Sequence, residues 1–178
     1  MRIISGKYKG KRLTAPKKLP VRPTTDMAKE GLFNILRNQY NFSNISVIDL
    51  FAGTGNISYE FISRGTKSIT SVDSHYACLS YIKTIARELE APIETIKSDV
   101  YSYLEKVKRK ADIIFADPPY DFTVDQFEKI ATLVFENELL NPGGILIIEH
   151  SKHTSLENSV HFSHSRKYGG SVFSFFEK

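Results

Sequence analysis

From position 46 onward the chain alternates two hydrophobic patterns. Apolar runs of strand length occupy 46–51, 68–73, 93–98, 111–117 and 144–150, and between them apolar residues recur every three or four positions. The second pattern predicts helices over 56–64, 75–89, 100–109 and 123–137. Strand and helix in regular succession predict an α/β protein on a mostly parallel sheet with helices on both faces. The tail breaks this rhythm, because 160–168 and 171–177 are both strand-like and flank Gly169 and Gly170. That pattern predicts a hairpin, and so an antiparallel pair closing the sheet.

The front of the chain is different. "RIISGKYKGKRLTAP" sets Ile4, Tyr8 and Leu13 among small and basic residues, with Gly6 and Gly10 where turns or bulges fall, and predicts one or two short strands. An extended connector follows over 19–26, since each proline in "LPVRPTTD" biases its predecessor away from helical angles. Thr24 or Thr25 then caps a helix over 26–38 whose apolar side is expected to carry Met27, Leu32, Ile35 and Leu36.

A chain of 178 residues, 41% hydrophobic and 25% charged, suffices for one well-packed domain. Apolar stretches such as 143–149 are too short to span a bilayer, and the N-terminus lacks a continuous apolar segment, so a cytoplasmic protein is expected. The single cysteine, Cys78, excludes an internal disulfide and a Cys-rich zinc site, and the histidines show no HExxH spacing. No metal is expected. Charge is unevenly placed: residues 1–22 carry eight Lys or Arg and no acid, whereas the other 156 carry 16 basic and 20 acidic residues. The chain therefore divides into a basic N-terminal hairpin or arm, 1–22, and a mildly acidic body, 23–178. Such an arm suits a polyanion, because Lys and Arg contacts to phosphate supply sequence-independent affinity; a merely solvated tail would have the same composition.

Three strand ends carry candidate chemistry. "VIDLFAGTGNI" turns sharply at Gly53 and Gly55 into a helix, a place where backbone can approach a ligand. Asp73 ends the second strand, placed for ribose hydroxyls, and Asp99 follows the third, placed for an adenine edge, although "SDV" would also serve as a helix cap. Ser58 stands where a dinucleotide fingerprint wants a third small residue, and "GNIS" fails as a phosphate-binding Walker loop. Asp49, Asp73 and Asp99 would repel a pyrophosphate and welcome a sulfonium cation.

Taken in order, "DLFAGTGNI", "SVD", "KSD", "DPPY" and "LNPGGILIIEH" resemble the S-adenosylmethionine-dependent methyltransferases. The resemblance implies a Rossmann-like class I fold, a seven-stranded mostly parallel sheet with an antiparallel last strand, here with a small N-terminal β-hairpin added. "DPPY", Asp117 to Tyr120, resembles the motif of enzymes that methylate amino groups of planar bases or amides. An exocyclic amine is a poor nucleophile, since its lone pair is delocalised, and must be oriented and polarised. Asp117 can accept one N–H and the Pro118 carbonyl the other, while Pro118 and Pro119 stiffen the turn and Tyr120 offers a stacking face. Methylation at pyrimidine carbon would need a nucleophilic cysteine, and Cys78, within the helix after the second strand, is expected to be a small buried hydrophobe.

The opening "MRIISGKYKGKRLTAP", with "RPTTDMAKEGLFNIL" and the closing "RKYGGSVFSFFEK", is similar to bacterial enzymes that methylate the N2 amine of a guanine in small-subunit (16S) ribosomal RNA. That resemblance implies S-adenosylmethionine held by Asp49, Phe51, Gly53, Gly55, Asp73, Ser74, Asp99 and Val100, with Arg22, Thr24 and Thr25 shaping the pocket. It assigns the arm to RNA through Arg2, Lys7, Lys9, Lys11 and Arg12. The substrate would be small-subunit ribosomal RNA, free or within an assembling subunit, and the enzyme a monomer. Ile57, Ser58 and Tyr59 depart from the small and aliphatic residues expected after the glycines. A DNA adenine-N6 methyltransferase shares "DPPY", but no insertion is long enough for a sequence-reading domain. A glutamine-N5 methyltransferase usually begins that motif with Asn, and a non-catalytic RNA-binding module has no need of intact Gly53, Gly55, Asp117 and Tyr120.

Overall fold

A computed structural model describes residues 1–19 and 21–178; Pro20, in the expected connector, lies outside the described residues. Among the described residues, the strands are β1 (Ser46–Leu50), β2 (Ser68–Asp73), β3 (Ile93–Lys97), β4 (Ala111–Ala116), β5 (Leu140–Ser151), β6 (Phe162–Tyr168) and β7 (Ser171–Phe176). The helices are α1 (Asp26–Leu36), α2 (Asn56–Ser63), α3 (Tyr76–Glu88), α4 (Val100–Lys106) and α5 (Val124–Glu136). One seven-stranded sheet has the order β3-β2-β1-β4-β5-β7-β6. Its pairs are parallel from β3 to β5, and β7 runs antiparallel to both β5 and β6. This is the Rossmann-like class I methyltransferase arrangement that the motifs imply.

Side-chain alternation splits the core in two. Ile48, Ile114, Leu146 and Ile148 pack against α4 and α5 on one face, and Val47, Ile113, Phe115 and Ile147 against α1 and α2 on the other. None of the described helices is long and apolar enough to cross a membrane.

Several boundaries shift for physical reasons. β5 begins at Leu140, before the expected 144, because Leu140 pairs with Ala111 and a bulge then absorbs Pro142, which has no N–H to give. α4 stops at Lys106 rather than 109; Val107 is extended, and Arg109 leaves to join Glu94 and Thr70 at the β2–β3 edge. The buried face of α1 carries Ala28, Leu32, Phe33 and Leu36, whereas Met27, expected inside, is 59% exposed beside Gly169 of the β6–β7 turn. Thr25, not Thr24, caps α1 by accepting the Ala28 N–H.

Where one or two short strands are expected, the first thirteen residues pair antiparallel around an isolated bridge of Arg2 with Arg12, with Ile3 N–H donating to the Lys11 carbonyl, Gly10 N–H to the Ile3 carbonyl and Leu13 N–H to the Met1 carbonyl. They are fastened along α2. Glu60 accepts the Ile4 and Ser5 N–H groups, the Lys7 N–H donates to the Ser63 carbonyl, and Ser63 accepts from Tyr8 N–H. Gly6, at φ +86, lies so close to Ser63 that a Cβ would fall 1.8 Å from its carbonyl oxygen, so only glycine fits there.

Candidate active site

A cavity of about 460 Å³ opens at the carboxyl ends of β1, β2 and β4, large enough for a nucleoside-sized ligand. Among the residues expected to hold a cofactor, Arg22, Thr24, Asp49, Phe51, Gly53, Asp73, Ser74, Asp99 and Val100 line it, and so do Asp117, Pro118, Pro119 and Tyr120. Gly55 does not line it; it is the N-cap of α2 at φ +83, and a Cβ there would meet the Tyr59 ring at 2.7 Å. Tyr59 is thus accommodated by the glycine beneath which it packs. Ser58, in place of a small residue, is fully buried, donates to Asp49 at 2.6 Å and pairs with Ser71 at 2.7 Å.

The loop after β1 is held from β2. Asp73 accepts the Gly53 N–H on one oxygen and the His75 N–H on the other, both at 2.8 Å, so its carboxylate is fixed in direction. Its remaining lone pairs suit a pair of ribose hydroxyls. Phe51 bends the chain at φ +56, outside the ordinary range for an aromatic residue, and packs edge-on against Phe122. Asp99 caps α4 by accepting the Ser102 N–H while still facing the cavity. Cys78 is buried but borders the cavity, closer to the site than expected; burial pushes its thiol up to about 11, so it stays protonated and poorly nucleophilic.

The acidic floor comes from strand alternation. Asp49, Asp117 and Glu149 project to the α1–α2 face from three adjacent strand ends, since Asp49 is paired with Phe115 and Ala116 with Ile148. Burial raises all three carboxyls, Asp49 to about 7, and Asp117 is pushed further by Glu149 and Asp49, while Arg22 opposes. A floor this acidic fits a cationic ligand and disfavours a phosphate-bearing one. Glu149 was not among the expected site residues; it accepts from Thr24 Oγ1 at 2.6 Å. Arg22 also lies over the Tyr120 ring, 5.0 Å from its centre, so one face of the expected stacking platform is already covered by a guanidinium.

Asp49 makes a pH prediction. Its folded state keeps a proton up to about pH 7 that the unfolded chain releases near its ordinary value of 3.8, so folding stability falls as pH rises between them. Asp49→Asn, whose oxygen can still accept from Ser58, should gain melting temperature relative to wild type between about pH 5 and about pH 8. An unchanged difference across that range refutes the assignment.

Among the expected RNA contacts, Arg2, Lys7, Lys9 and Arg12 are exposed and Lys11 half-buried, all outside the cavity. Arg2 pairs with Asp26 at 3.1 Å, an exposed contact of little energetic consequence. Lys29, unremarked in the sequence, is fully buried with Glu60; it donates to the Arg2 carbonyl and Asn56, and Asn56 in turn donates to the Thr24 carbonyl. This chain of bonds ties the N-terminal segment to the cavity wall.

Comparison with known proteins agrees with this architecture. The family described as conserved hypothetical protein 95 matches residues 1–177. A Haemophilus influenzae protein named "Ribosomal RNA small subunit methyltransferase D" is 30% identical over 164 residues, covering 85% of this chain and 79% of that relative. A protein of the same name from Buchnera aphidicola subsp. Acyrthosiphon pisum is 31% identical over 156 residues, covering 86% and 80%. The solved structure of a hypothetical protein from Thermus thermophilus superposes with a TM-score of 0.86 over 100% of this chain and 99% of that one; at 23% identity this likeness shows the fold. The chain therefore belongs to the conserved hypothetical protein 95 family, whose relatives include the bacterial small-subunit ribosomal RNA methyltransferases D.

Proposed function

We propose that the protein transfers a methyl group from S-adenosylmethionine to the exocyclic N2 amine of a guanine in small-subunit ribosomal RNA. The observation that carries this reading is the meeting, in one cavity, of Asp117–Tyr120 with the Gly53 loop, Asp73 and Asp99. Bound there, S-adenosylmethionine would supply an electrophilic methyl group on a sulfonium. Asp73 would hold its ribose hydroxyls, Asp99 and Val100 would flank its adenine, and the acidic floor would favour its positive charge. Asp117 accepts an amine N–H, and the Pro118 carbonyl accepts the second, which leaves the nitrogen lone pair turned toward the methyl. Tyr120 stacks on the base with the face that Arg22 leaves free. The relatives' names favour ribosomal RNA over DNA or protein as substrate. Methyl transfer onto naked 16S RNA, assembling and mature subunits, DNA and protein, followed by nucleoside mass spectrometry, tests the reading; label on anything but N2-methylguanosine overturns it.

RNA engagement by the basic segment carries its own prediction. Lys7 lies at the far end of α2, about 10 Å along the helix from the cavity-lining Asn56, so these cations would grip backbone flanking the target nucleotide. Replacing Lys7, Lys9 and Lys11 with Glu should reduce the slope of log affinity against log salt by about 2. A slope equal to wild type removes the segment from RNA binding.

A further inference from the structure

Glu149 has no part in the reading above, yet it occupies the position beside Asp117. β4 and β5 run parallel with Ala116 opposite Ile148, so Asp117 and Glu149 sit side by side one strand spacing apart, roughly 4.8 Å, on one face of the sheet. Asp117 looks into the cavity; Glu149 is 1% exposed. Two carboxyls so placed cannot both ionise freely.

We propose that Glu149 is a positioning residue that shares one proton with Asp117, so that the pair carries a single negative charge and Asp117 is held in place to accept the substrate N–H. This rests on the reading of Asp117 as the amine acceptor. The surroundings are built for such a role. From the segment before α1, Thr24 donates to Glu149 and Arg22 favours charge on both members. From β7, Ser171 favours charge on Glu149, while Asp49 of β1 disfavours it on Asp117. The backbone of Thr24 is itself fixed by Asn56 from α2. Thr24 at the cavity wall and Ser171 of β7 thus engage Glu149, which does not itself line the cavity, and Asp117 is left as the member that meets substrate. Burial raises both carboxyls and Glu149 raises Asp117 further, which brings the loss of the shared proton toward the working range.

The test compares the pH dependence of kcat for the wild type and Glu149→Gln at saturating RNA and cofactor. Glutamine can still accept from Thr24 and can donate an amide hydrogen to Asp117, so turnover should persist. With no second carboxyl to ionise, the alkaline limb set by loss of the shared proton should disappear, and the variant's activity relative to wild type should be several-fold higher at pH 9 than at pH 7. An alkaline limb at the wild-type position overturns the proposal, as does a variant that binds cofactor normally but turns over at no pH. Carboxyl-carbon NMR titration of the unaltered protein is the second measurement. Asp117 and Glu149 should report the same two titration steps; two independent single-step curves overturn the sharing. Full activity in Asp117→Ala would instead sink the reading of Asp117, so the two failures are distinguishable.

Discussion

Asp117→Ala is expected to lower kcat by about 10²- to 10³-fold, the scale on which one oriented hydrogen-bond partner of a reacting group acts. Alanine cannot accept the amine N–H, so the base would lose both the restraint that orients its nitrogen and the polarisation that frees the lone pair. Affinity for S-adenosylmethionine should change little, because the ribose and adenine contacts assigned to Asp73 and Asp99 come from other strands. Stability should hold or rise, since Asp117 is a buried carboxyl beside two others and its removal relieves repulsion. That combination separates lost chemistry from lost fold. Asp117→Asn keeps an oxygen acceptor and should fall between wild type and alanine. Single-turnover methyl transfer, calorimetric cofactor titration and melting curves check the three parts. Wild-type turnover in the alanine variant refutes the role of Asp117.

The parts of the site that were legible before the structure share one property: each is announced by its own neighbours in sequence. Asp49, Asp73 and Asp117 each close an apolar strand run, and a carboxylate at a strand's carboxyl end in a parallel sheet faces the ligand crevice. Glu149 obeys the same rule in "GILIIEH", but its meaning depends on β5 lying beside β4 in register with Asp117, which no local pattern states. Lys29 and Glu60 were hidden for a stronger reason. Charged residues on amphipathic helices normally face water, and these two are inside only because residues 1–5 cover them. Met27 fails in the opposite direction: an apolar residue in the first turn of α1 points to the β6–β7 turn rather than the core. The N-terminal segment carries a hairpin's residues and keeps a short ladder between residues 1–3 and 10–13, and side-chain and backbone anchors on α2 add to it.

Glu60→Ala should be among the most damaging single changes away from the cavity. Glu60 accepts from Ile4 N–H, Ser5 N–H and Arg64 and pairs with Lys29 at 3.3 Å, both charged side chains having no exposure. Removing it strands a buried ammonium and two backbone donors, at a cost of about 3–5 kcal/mol. For a chain of this size that is a fall in melting temperature of roughly 10 °C. The deficit should depend on pH with a definite sign. Burial already holds Lys29 below its ordinary 10.5, and without Glu60 it should fall further. A lysine with a lowered native value releases its proton on folding, so stability rises with pH and the variant should recover part of its loss on going toward about pH 9. Lys29→Met added to Glu60→Ala should restore much of the stability by removing the uncompensated charge. The functional outcome runs against simple electrostatics. Glu60→Ala makes the protein more positive, which alone would strengthen binding to RNA. It also releases Ile4 and Ser5 and weakens the hold of Lys29 on Asn56, which fixes the Thr24 backbone. If the docked geometry of residues 1–13 matters more than their charge, this more cationic variant binds RNA less tightly at temperatures where it remains folded. Equal or tighter binding there would leave charge alone as the source of affinity.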